Sequence, residues 1–187
     1  MPTTTVRTTY LELTDPAAIV PARRPRVAAS LHKVGRPAPE LSRYLYSSVG
    51  GHWHWRDRLS WTYHDWLAYL DRRGFETWYL TVDAVPAGYF ELDGSFPPDV
   101  EIPAFGLIPT FTGQGLGGWL LEMALRRATS IGSRVWLHTC TLDSPVALDN
   151  YRARGLVPFR VDEHETEVAA EPPGPWPGAG WHAGETQ

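Results

Sequence analysis

The chain has 187 residues, enough for one domain, and its 43 % hydrophobic and 20 % charged residues are typical of a globular protein. A net charge of −4 gives no electrostatic reason to expect nucleic acid or an anionic membrane as a partner, and no apolar run approaches the roughly 20 residues of a membrane helix. Cys140 is the single cysteine, so an intrachain disulfide is excluded, and Met1 to Tyr10 lacks the order of a signal peptide. We therefore expect a cytoplasmic protein.

The first part of the chain predicts one strand, a loop and two helices. Hydrophobic alternation from Thr4 to Thr14 predicts the strand, and the proline-rich stretch 15–38 predicts a surface loop. From Pro39 the apolar residues follow a helical spacing up to Val49, and Gly50 and Gly51 end that helix. A second, short helix is predicted from about Tyr63 to Arg73, with an aromatic segment between the two helices.

The remaining elements predict a mixed α/β fold in which an antiparallel meander leads into one strand–loop–helix–strand unit. The predicted elements are strands at Thr77–Val82, Gly88–Leu92 and Val100–Ile108, a helix at Leu116–Ile131, a strand at Arg134–Thr141, a helix from Ser144 to Gly155, and a strand at Leu156–Val161. Beyond Glu171 the chain is rich in proline and glycine, so we expect a poorly ordered tail.

A glycine-rich loop precedes the predicted helix at Leu116. Its four glycines lie within six positions, at 113, 115, 117 and 118, and such a loop offers backbone N–H groups at the positive end of a helix dipole. This arrangement suits a pyrophosphate, although a tight turn that needs glycine for its φ angles would also explain it. Gly113, Gly115 and Gly118 also match the G-x-G-x-x-G spacing of a dinucleotide site. The context disfavours such a site, because the loop follows a meander and the next strand ends in His138-Thr139-Cys140 without an acidic residue.

Two motifs resemble those of the GNAT acetyltransferase superfamily. Thr112-Gly113-Gln114-Gly115-Leu116-Gly117 resembles its cofactor motif, [Arg/Gln]-x-x-Gly-x-[Gly/Ala], with threonine at the first position. Ala147-x-x-Asn150-Tyr151-x-x-x-Gly155-Leu156 resembles its second motif. The resemblance implies the GNAT acyl-CoA acyltransferase fold: a mixed, mostly antiparallel central sheet with a splayed strand pair and flanking helices. It places one domain at 1–168, with the acceptor side at about 38–75 and the acyl-CoA-binding core at about 77–160, and leaves a tail at 169–187.

The resemblance also implies an acyl-CoA-dependent N-acyltransferase that uses acetyl-CoA or another acyl-CoA as co-substrate. The amine is expected to attack directly, without a covalent enzyme intermediate. The residues expected to bind the cofactor are Phe105, Gly106, Leu107, Ile108, Thr112, Gly113, Gln114, Gly115, Leu116, Gly117, Gly118 and Asn150.

Three side chains are candidates for the chemistry. Glu101, on the strand that leads to the glycine loop, is the expected general base, with His138 on the neighbouring strand or an ordered water as the alternatives. Tyr151 matches the tyrosine of the second motif, so the resemblance assigns it the proton donation to the thiolate leaving group. The backbone N–H of Leu107 is the expected donor to the oxyanion.

The acceptor is expected to be the primary amine of a small molecule. Trp53, Trp55, Trp61 and Tyr63 are the expected wall of its pocket, since aromatic side chains supply large rigid contact areas, although packing in the core also explains them. A protein N-terminus or lysine as acceptor, or a CoA-binding module without catalysis, are the alternatives. His52-x-His54 and His138-x-Cys140 have no zinc-motif spacing, so no metal is expected, and we predict a monomer or homodimer.

Overall fold

The computed structural model describes residues 2–179, which form a mixed α/β fold around one eight-stranded sheet. The strands are β1 (Thr3–Leu13), β2 (Ala29–Lys33), β3 (Phe75–Val82), β4 (Val85–Asp93), β5 (Asp99–Glu101), β6 (Phe105–Leu107), β7 (Arg134–Cys140) and β8 (Val157–Glu167). The α-helices are α1 (Pro39–Gly50), α2 (Tyr63–Leu70), α3 (Leu116–Thr129) and α4 (Ala147–Arg152). The predicted fold class is confirmed.

The sheet order is β2-β3-β4-β5-β7-β1-β8, and β6 pairs with β4. Every pairing is antiparallel except that of β5 with β7. Asp83 and Ala84 both have positive φ and form the two-residue turn of the β3–β4 hairpin, which matches the twist of the two strands.

Helices cover the sheet on both faces at β4, and the alternation of its side chains explains why. Phe90 and Leu92 belong to the large core that includes Leu120 and Leu121 of α3. Tyr89 points to the other face, where it packs with Leu45 of α1. Because β4 is buried on both faces, its polar side chains are buried as well, and they become part of the site described below.

Strands β6 and β7 diverge, and this divergence positions the site. Strand β5 pairs in parallel with β7 up to Glu101 opposite Trp136. After Pro103 the chain follows β4 instead, with the Glu91 N–H donating to the Ala104 carbonyl oxygen at 2.9 Å. Phe105–Leu107 therefore pairs with β4, while β7 continues along β1, and a gap opens between β6 and β7.

Several predicted element bounds are wrong. The predicted loop 15–38 contains strand β2, which pairs with β3 at the sheet edge. The predicted strand 100–108 is two strands, because Pro103 lacks the N–H that a continuous ladder needs. Helix α4 begins at Ala147 and ends at Arg152, and β8 runs six residues beyond the predicted end at Val161.

The tail is partly packed against the body of the protein. The Gly174 N–H donates to the Gly51 carbonyl oxygen at 2.8 Å, and Arg56 donates to the Glu171 carbonyl oxygen at 2.6 Å. The start of the predicted tail is thus hydrogen-bonded to the body of the protein, whereas 180–187 lies outside the described residues. No helix within residues 2–179 combines the length and apolar character needed to cross a bilayer.

Candidate active site

A cavity of about 1030 Å³ opens where β6 and β7 diverge. Its walls come from β5, β6 and β7, from the glycine loop before α3, from α4, and from the aromatic segment between α1 and α2. The cavity thus joins the predicted cofactor loop to the predicted acceptor side in one continuous space.

The predicted cofactor end of the cavity is formed by the glycine loop. Gly113, Gly115 and Gly117 line it together with Thr112. Gly113 and Gly115 have φ angles of 76° and 79°, in the left-handed region, and a Cβ on either would meet no atom within 4 Å. These two glycines are therefore required by the backbone conformation and not by crowding. The loop leads directly into α3, whose first N–H groups have no intrahelical partner.

The other predicted cofactor residues divide between the cavity and its surroundings. Phe105, Gly106, Leu107 and Asn150 line the cavity. Ile108, Gln114, Leu116 and Gly118 do not: Leu116 is fully buried in the main core, and the Gln114 amide donates to the Thr110 carbonyl oxygen at 3.3 Å. A Cβ on Gly118 would lie 3.6 Å from the Asn150 side chain of α4 and 3.7 Å from Ala22, and Gly118 itself does not line the cavity.

The backbone of β6 presents a free donor to the gap. The Ile108 N–H donates to the Ala87 carbonyl oxygen of β4 at 2.9 Å. Because donors alternate along an antiparallel strand, the N–H of the preceding residue, Leu107, points away from β4 and toward β7. This is the direction in which the divergence of the strands leaves the cavity.

Glu101 lines the cavity and occupies the last position of β5. Its carboxylate has no hydrogen bond or ion pair among the described residues. Burial raises the pKa of Glu101 above its ordinary value, and the carboxylate of Asp93, directly opposite on β4, raises it further. Arg58 and Arg72 act in the opposite direction. An unpaired carboxyl group with a raised pKa is suited to accept a proton near neutral pH.

Two arginines neutralise the acidic residues behind Glu101. Arg58 is 11 % exposed and binds the fully buried Glu91 at 2.7 Å. It also donates to the Tyr69 hydroxyl at 2.6 Å, and its guanidinium lies over four aromatic rings, those of Tyr46, Trp61, Trp66 and Tyr69. Arg72 binds Asp93 at 2.9 Å. These pairs leave Glu101 as the unpaired carboxylate of this group.

His138 is exposed on β7 and faces the cavity. Desolvation lowers the pKa of His138, and the nearby Arg160 lowers it too, while Asp143 and Asp57 oppose that change. Its ring lies 5.5 Å from that of Tyr10. A neutral imidazole in the cavity can accept a proton, so the geometry leaves His138 as a second candidate for the base.

Tyr151 lies in α4, is nearly buried, and lines the cavity. Its ring contacts Phe105 of β6 edge-on, with the ring centres 6.0 Å apart. Burial raises the pKa of Tyr151 well above its ordinary value, and the charge of Asp143 adds to this effect. The phenol therefore keeps its proton at neutral pH and can donate it.

The acetyltransferase (GNAT) family model matches residues 39–156 of this chain. The chain belongs to this family. Matches in solved structures agree with the assignment. The GCN5-related N-acetyltransferase from Kribbella flavida is 18 % identical, with a TM-score of 0.61 over 92 % of this chain and 60 % of that protein. Our GNAT chain therefore spans less than two thirds of that protein's length.

Two further solved structures share the fold. An aminoglycoside acetyltransferase from an uncultured soil metagenomic sample is 14 % identical, with a TM-score of 0.57 over 67 % of this chain and 86 % of that protein. The ribosomal-protein-S18-alanine N-acetyltransferase from Escherichia coli is 15 % identical, with a TM-score of 0.53 over 68 % of this chain and 77 % of that protein. At such identities the likeness shows the fold alone. No curated protein matches the chain.

The aromatic segment of this GNAT domain contributes two of its four predicted residues to the cavity. Trp53 and Trp55 line it. Trp61 instead packs with its ring 5.0 Å from those of Trp66 and Tyr69, in the cluster around α2, and Tyr63 is exposed at the start of α2. The predicted wall is therefore wrong for Trp61 and Tyr63, because the segment turns toward α2 after Arg58.

Sequence reasoning missed the charged residues of the cavity. Asp57, Arg58, Arg72, Asp93 and Asp143 all line it. Asp143 follows the apolar strand β7 directly and precedes a helix, so its position at the end of a central strand could have identified it. No such signal marks the others, since Arg58, Arg72 and Asp93 pair with residues far away in the chain and Asp57 reaches the cavity only through the fold. No group of three or more His, Cys, Asp or Glu side chains suited to a metal ion occurs within residues 2–179.

Proposed function

We propose that this GNAT protein moves an acetyl or other short acyl group from acyl-CoA to the primary amine of a small molecule, by direct attack of the amine. One observation carries the proposal: a single cavity connects the glycine loop with Glu101 and Tyr151. A nucleophile and an acyl donor bound at its two ends would meet between β6 and β7.

The residues at the cofactor end fit the acyl-CoA. The open space beside Gly113 and Gly115 lets the backbone N–H groups of the loop and of the first turn of α3 approach a pyrophosphate closely. The free N–H of Leu107, in the gap, is suited to a pantetheine amide or to the carbonyl oxygen of the acyl group. When bound, the acyl-CoA supplies the activated carbonyl carbon that the amine attacks.

Glu101 is proposed to take the proton of the incoming ammonium. Its raised pKa brings proton acceptance nearer to neutral pH, and both oxygens are available because no group within residues 2–179 hydrogen bonds to them. His138 offers a second route, since it also lines the cavity as a neutral imidazole. The variants Glu101→Gln and His138→Ala separate the two routes.

Tyr151 is proposed to donate its proton to the departing sulfur. Its phenol remains protonated because burial and the charge of Asp143 raise its pKa. The Leu107 N–H would stabilise the negative charge that develops on the carbonyl oxygen, because a preorganised donor in a water-poor site costs no reorganisation during the reaction.

A small-molecule acceptor is favoured by the shape of the acceptor end. The volume of about 1030 Å³ is in the range of pockets that enclose small ligands, and Trp53 and Trp55 line one part of it. A protein terminus needs an open groove instead. The metagenomic enzyme named above is an aminoglycoside acetyltransferase, and the Escherichia coli enzyme acetylates the alanine of a ribosomal protein. The fold alone therefore does not select an acceptor.

The experiment is a screen of amines against several acyl-CoAs, read by the release of free thiol and by the mass of the acylated amine. The proposal requires thiol release that depends on a small amine, together with an amine product that has gained one acyl group. Acylation of peptide termini or lysines in preference to every small amine would favour the protein-acceptor alternative. Binding of CoA with no turnover on either class would favour a non-catalytic module.

A further inference from the structure

The lining of the cavity is acidic. Five carboxylates line it, those of Asp57, Asp93, Glu101, Asp143 and Asp149, against two guanidiniums, those of Arg58 and Arg72. The lowered pKa values of His54 and His138, caused first by desolvation, mean that these two imidazoles do not offset the negative charge at neutral pH. The cavity therefore favours a cationic occupant.

The carboxylates differ in whether protein groups already satisfy them. Asp93 binds Arg72 at 2.9 Å. Asp143 accepts three hydrogen bonds, from the Trp55 indole, the Thr139 hydroxyl and the Cys140 N–H. Asp149 belongs to α4, where the next residue, Asn150, lies beside Gly118 in the first turn of α3, so Asp149 is at the end of the cavity near the glycine loop. Asp57 and Glu101 remain as the unpaired carboxylates of the acceptor end among residues 2–179.

These two carboxylates belong to different elements, and both are near His138. Glu101 is level with Trp136 of β7, and His138 follows two residues later on the same face, about 7 Å along the strand. Asp57 approaches from the aromatic segment, close enough for its charge to act on both His138 and Tyr46. The cavity thus holds two separate sites for positive charge.

The backbone around Asp57 is held in place on both sides. Trp55, two residues earlier, is fixed to Asp143 at 3.0 Å, and Arg58, the next residue, is fixed to the fully buried Glu91 at 2.7 Å. A carboxylate between two such anchors is preorganised for a ligand. His54, three residues before Asp57, also lines the cavity, and its buried Nδ1 has no hydrogen-bond partner among the described residues.

We propose that the acceptor is a dicationic amine, in which the reacting amine faces Glu101 and a second ammonium or guanidinium group binds Asp57 against the rings of Trp53 and Trp55. This inference rests on the proposed function, since Glu101 is the group that receives the reacting amine. Asp57 is then a specificity-determining residue: it selects the acceptor by charge, and the aromatic rings add cation–π attraction.

The test compares cadaverine with aminopentanol, in which a hydroxyl replaces one ammonium group. Asp57 is exposed, so for the unmodified protein kcat/KM for cadaverine, corrected for its two amines, should exceed that for aminopentanol roughly tenfold, the combined effect of one exposed ion pair and a cation–π contact. Asp57→Asn should reduce this ratio to about one. Asp71→Asn is the matched control, because Asp71 is exposed at the end of α2 and does not line this cavity, and it should preserve the ratio.

Calorimetry with CoA present measures the same selectivity without turnover. Cadaverine should bind the unmodified protein and Asp71→Asn roughly tenfold more tightly than it binds Asp57→Asn. If acetylation is absent but this difference is found, the proposed function fails and the cation site stands. If amines are acetylated but Asp57→Asn leaves the preference for cadaverine unchanged, or no preference exists, the cation site is refuted and the proposed function stands.

Discussion

Trp55 donates its indole N–H to the Asp143 carboxylate at 3.0 Å and so joins the aromatic segment to the loop that follows β7. The other carboxylate oxygen of Asp143 accepts the Thr139 hydroxyl and the Cys140 N–H, both at 2.9 Å. Trp55 also packs on Gly50, where any Cβ would collide with the indole ring. The aromatic segment between α1 and α2 and the loop after β7 are therefore connected through one side chain.

Trp55→Phe tests that connection, because it removes the N–H and keeps an aromatic ring beside Tyr46. We expect KM for the amine to rise several-fold with KM for acyl-CoA nearly unchanged, and the free energy of unfolding to fall by about 1–2 kcal/mol. Steady-state kinetics and urea unfolding measure the two effects. Trp176→Phe, at an indole that is 62 % exposed, should change neither. Equal rises in both KM values would show that Trp55 serves only the fold.

Glu101→Gln tests the proposed base. The raised folded-state pKa means that Glu101 loses its proton only above its ordinary pH range, so kcat/KM of the unmodified protein should rise with pH through that pKa. Glu101→Gln should lack this rise and be about 10²–10⁴-fold slower at neutral pH, with partial recovery at high pH where free amine is abundant. His138→Ala should be milder. The opposite ranking of the two variants would assign the base to His138.

Tyr151→Phe tests the proposed acid by removing only the hydroxyl. Packing against Phe105 and CoA affinity should change little, whereas kcat and kcat/KM should fall together by about 10- to 1,000-fold, since the interaction is made only in the transition state. Single-turnover kinetics measure the chemical step, and calorimetry measures the affinity for CoA. Turnover at the parent rate would reduce Tyr151 to a packing residue.

Glu76 gives a prediction about stability. Burial alone would raise its pKa, but hydrogen bonds from Arg127, Lys33 and Trp78 lower it to about 2. A carboxyl with a depressed folded-state pKa stabilises the fold above its unfolded pKa, and that stabilisation is lost as the pH falls through the folded value. Glu76→Gln should therefore cost a few kcal/mol at neutral pH and much less near pH 2, measured by urea unfolding across this range. Glu163→Gln is the control, since Arg7–Glu163 is exposed and should contribute little. An equal pH dependence of the stability loss in both variants would contradict the lowered pKa of Glu76.

Local patterns in the sequence predicted the elements that carry the cofactor loop. The glycines before Leu116 and the apolar strand β7 have strong signals within a few residues, and both lie where expected. Strand β2 had no such signal, because its pairing with β3 and not its own polar sequence makes it a strand. The extension of β8 past Val161 is likewise exposed and charged, and its pairing with β1 determines it.

The acceptor side was harder to predict because its geometry depends on long-range ion pairs. Arg58 and Glu91 are 33 residues apart, and their contact turns the aromatic segment so that Trp55 faces the cavity and Trp61 faces α2. A count of aromatic residues cannot distinguish those two orientations. For the same reason Asp57 gave no signal, since its role follows from neighbours that the fold brings together.

The binding of CoA to Gly117→Trp tests the central claim, that the glycine loop and its cavity hold the acyl donor. A Cβ at Gly117 would lie 3.7 Å from a Leu107 methyl, an ordinary contact, so the fold should persist while the indole fills the space before α3. CoA should raise the melting temperature of the unmodified protein and of Gly35→Trp, at a glycine outside the cavity with no atom near its Cβ position, and should not raise that of Gly117→Trp. An unchanged CoA-dependent shift in folded Gly117→Trp, or a shift with NADH and none with CoA, would contradict the account.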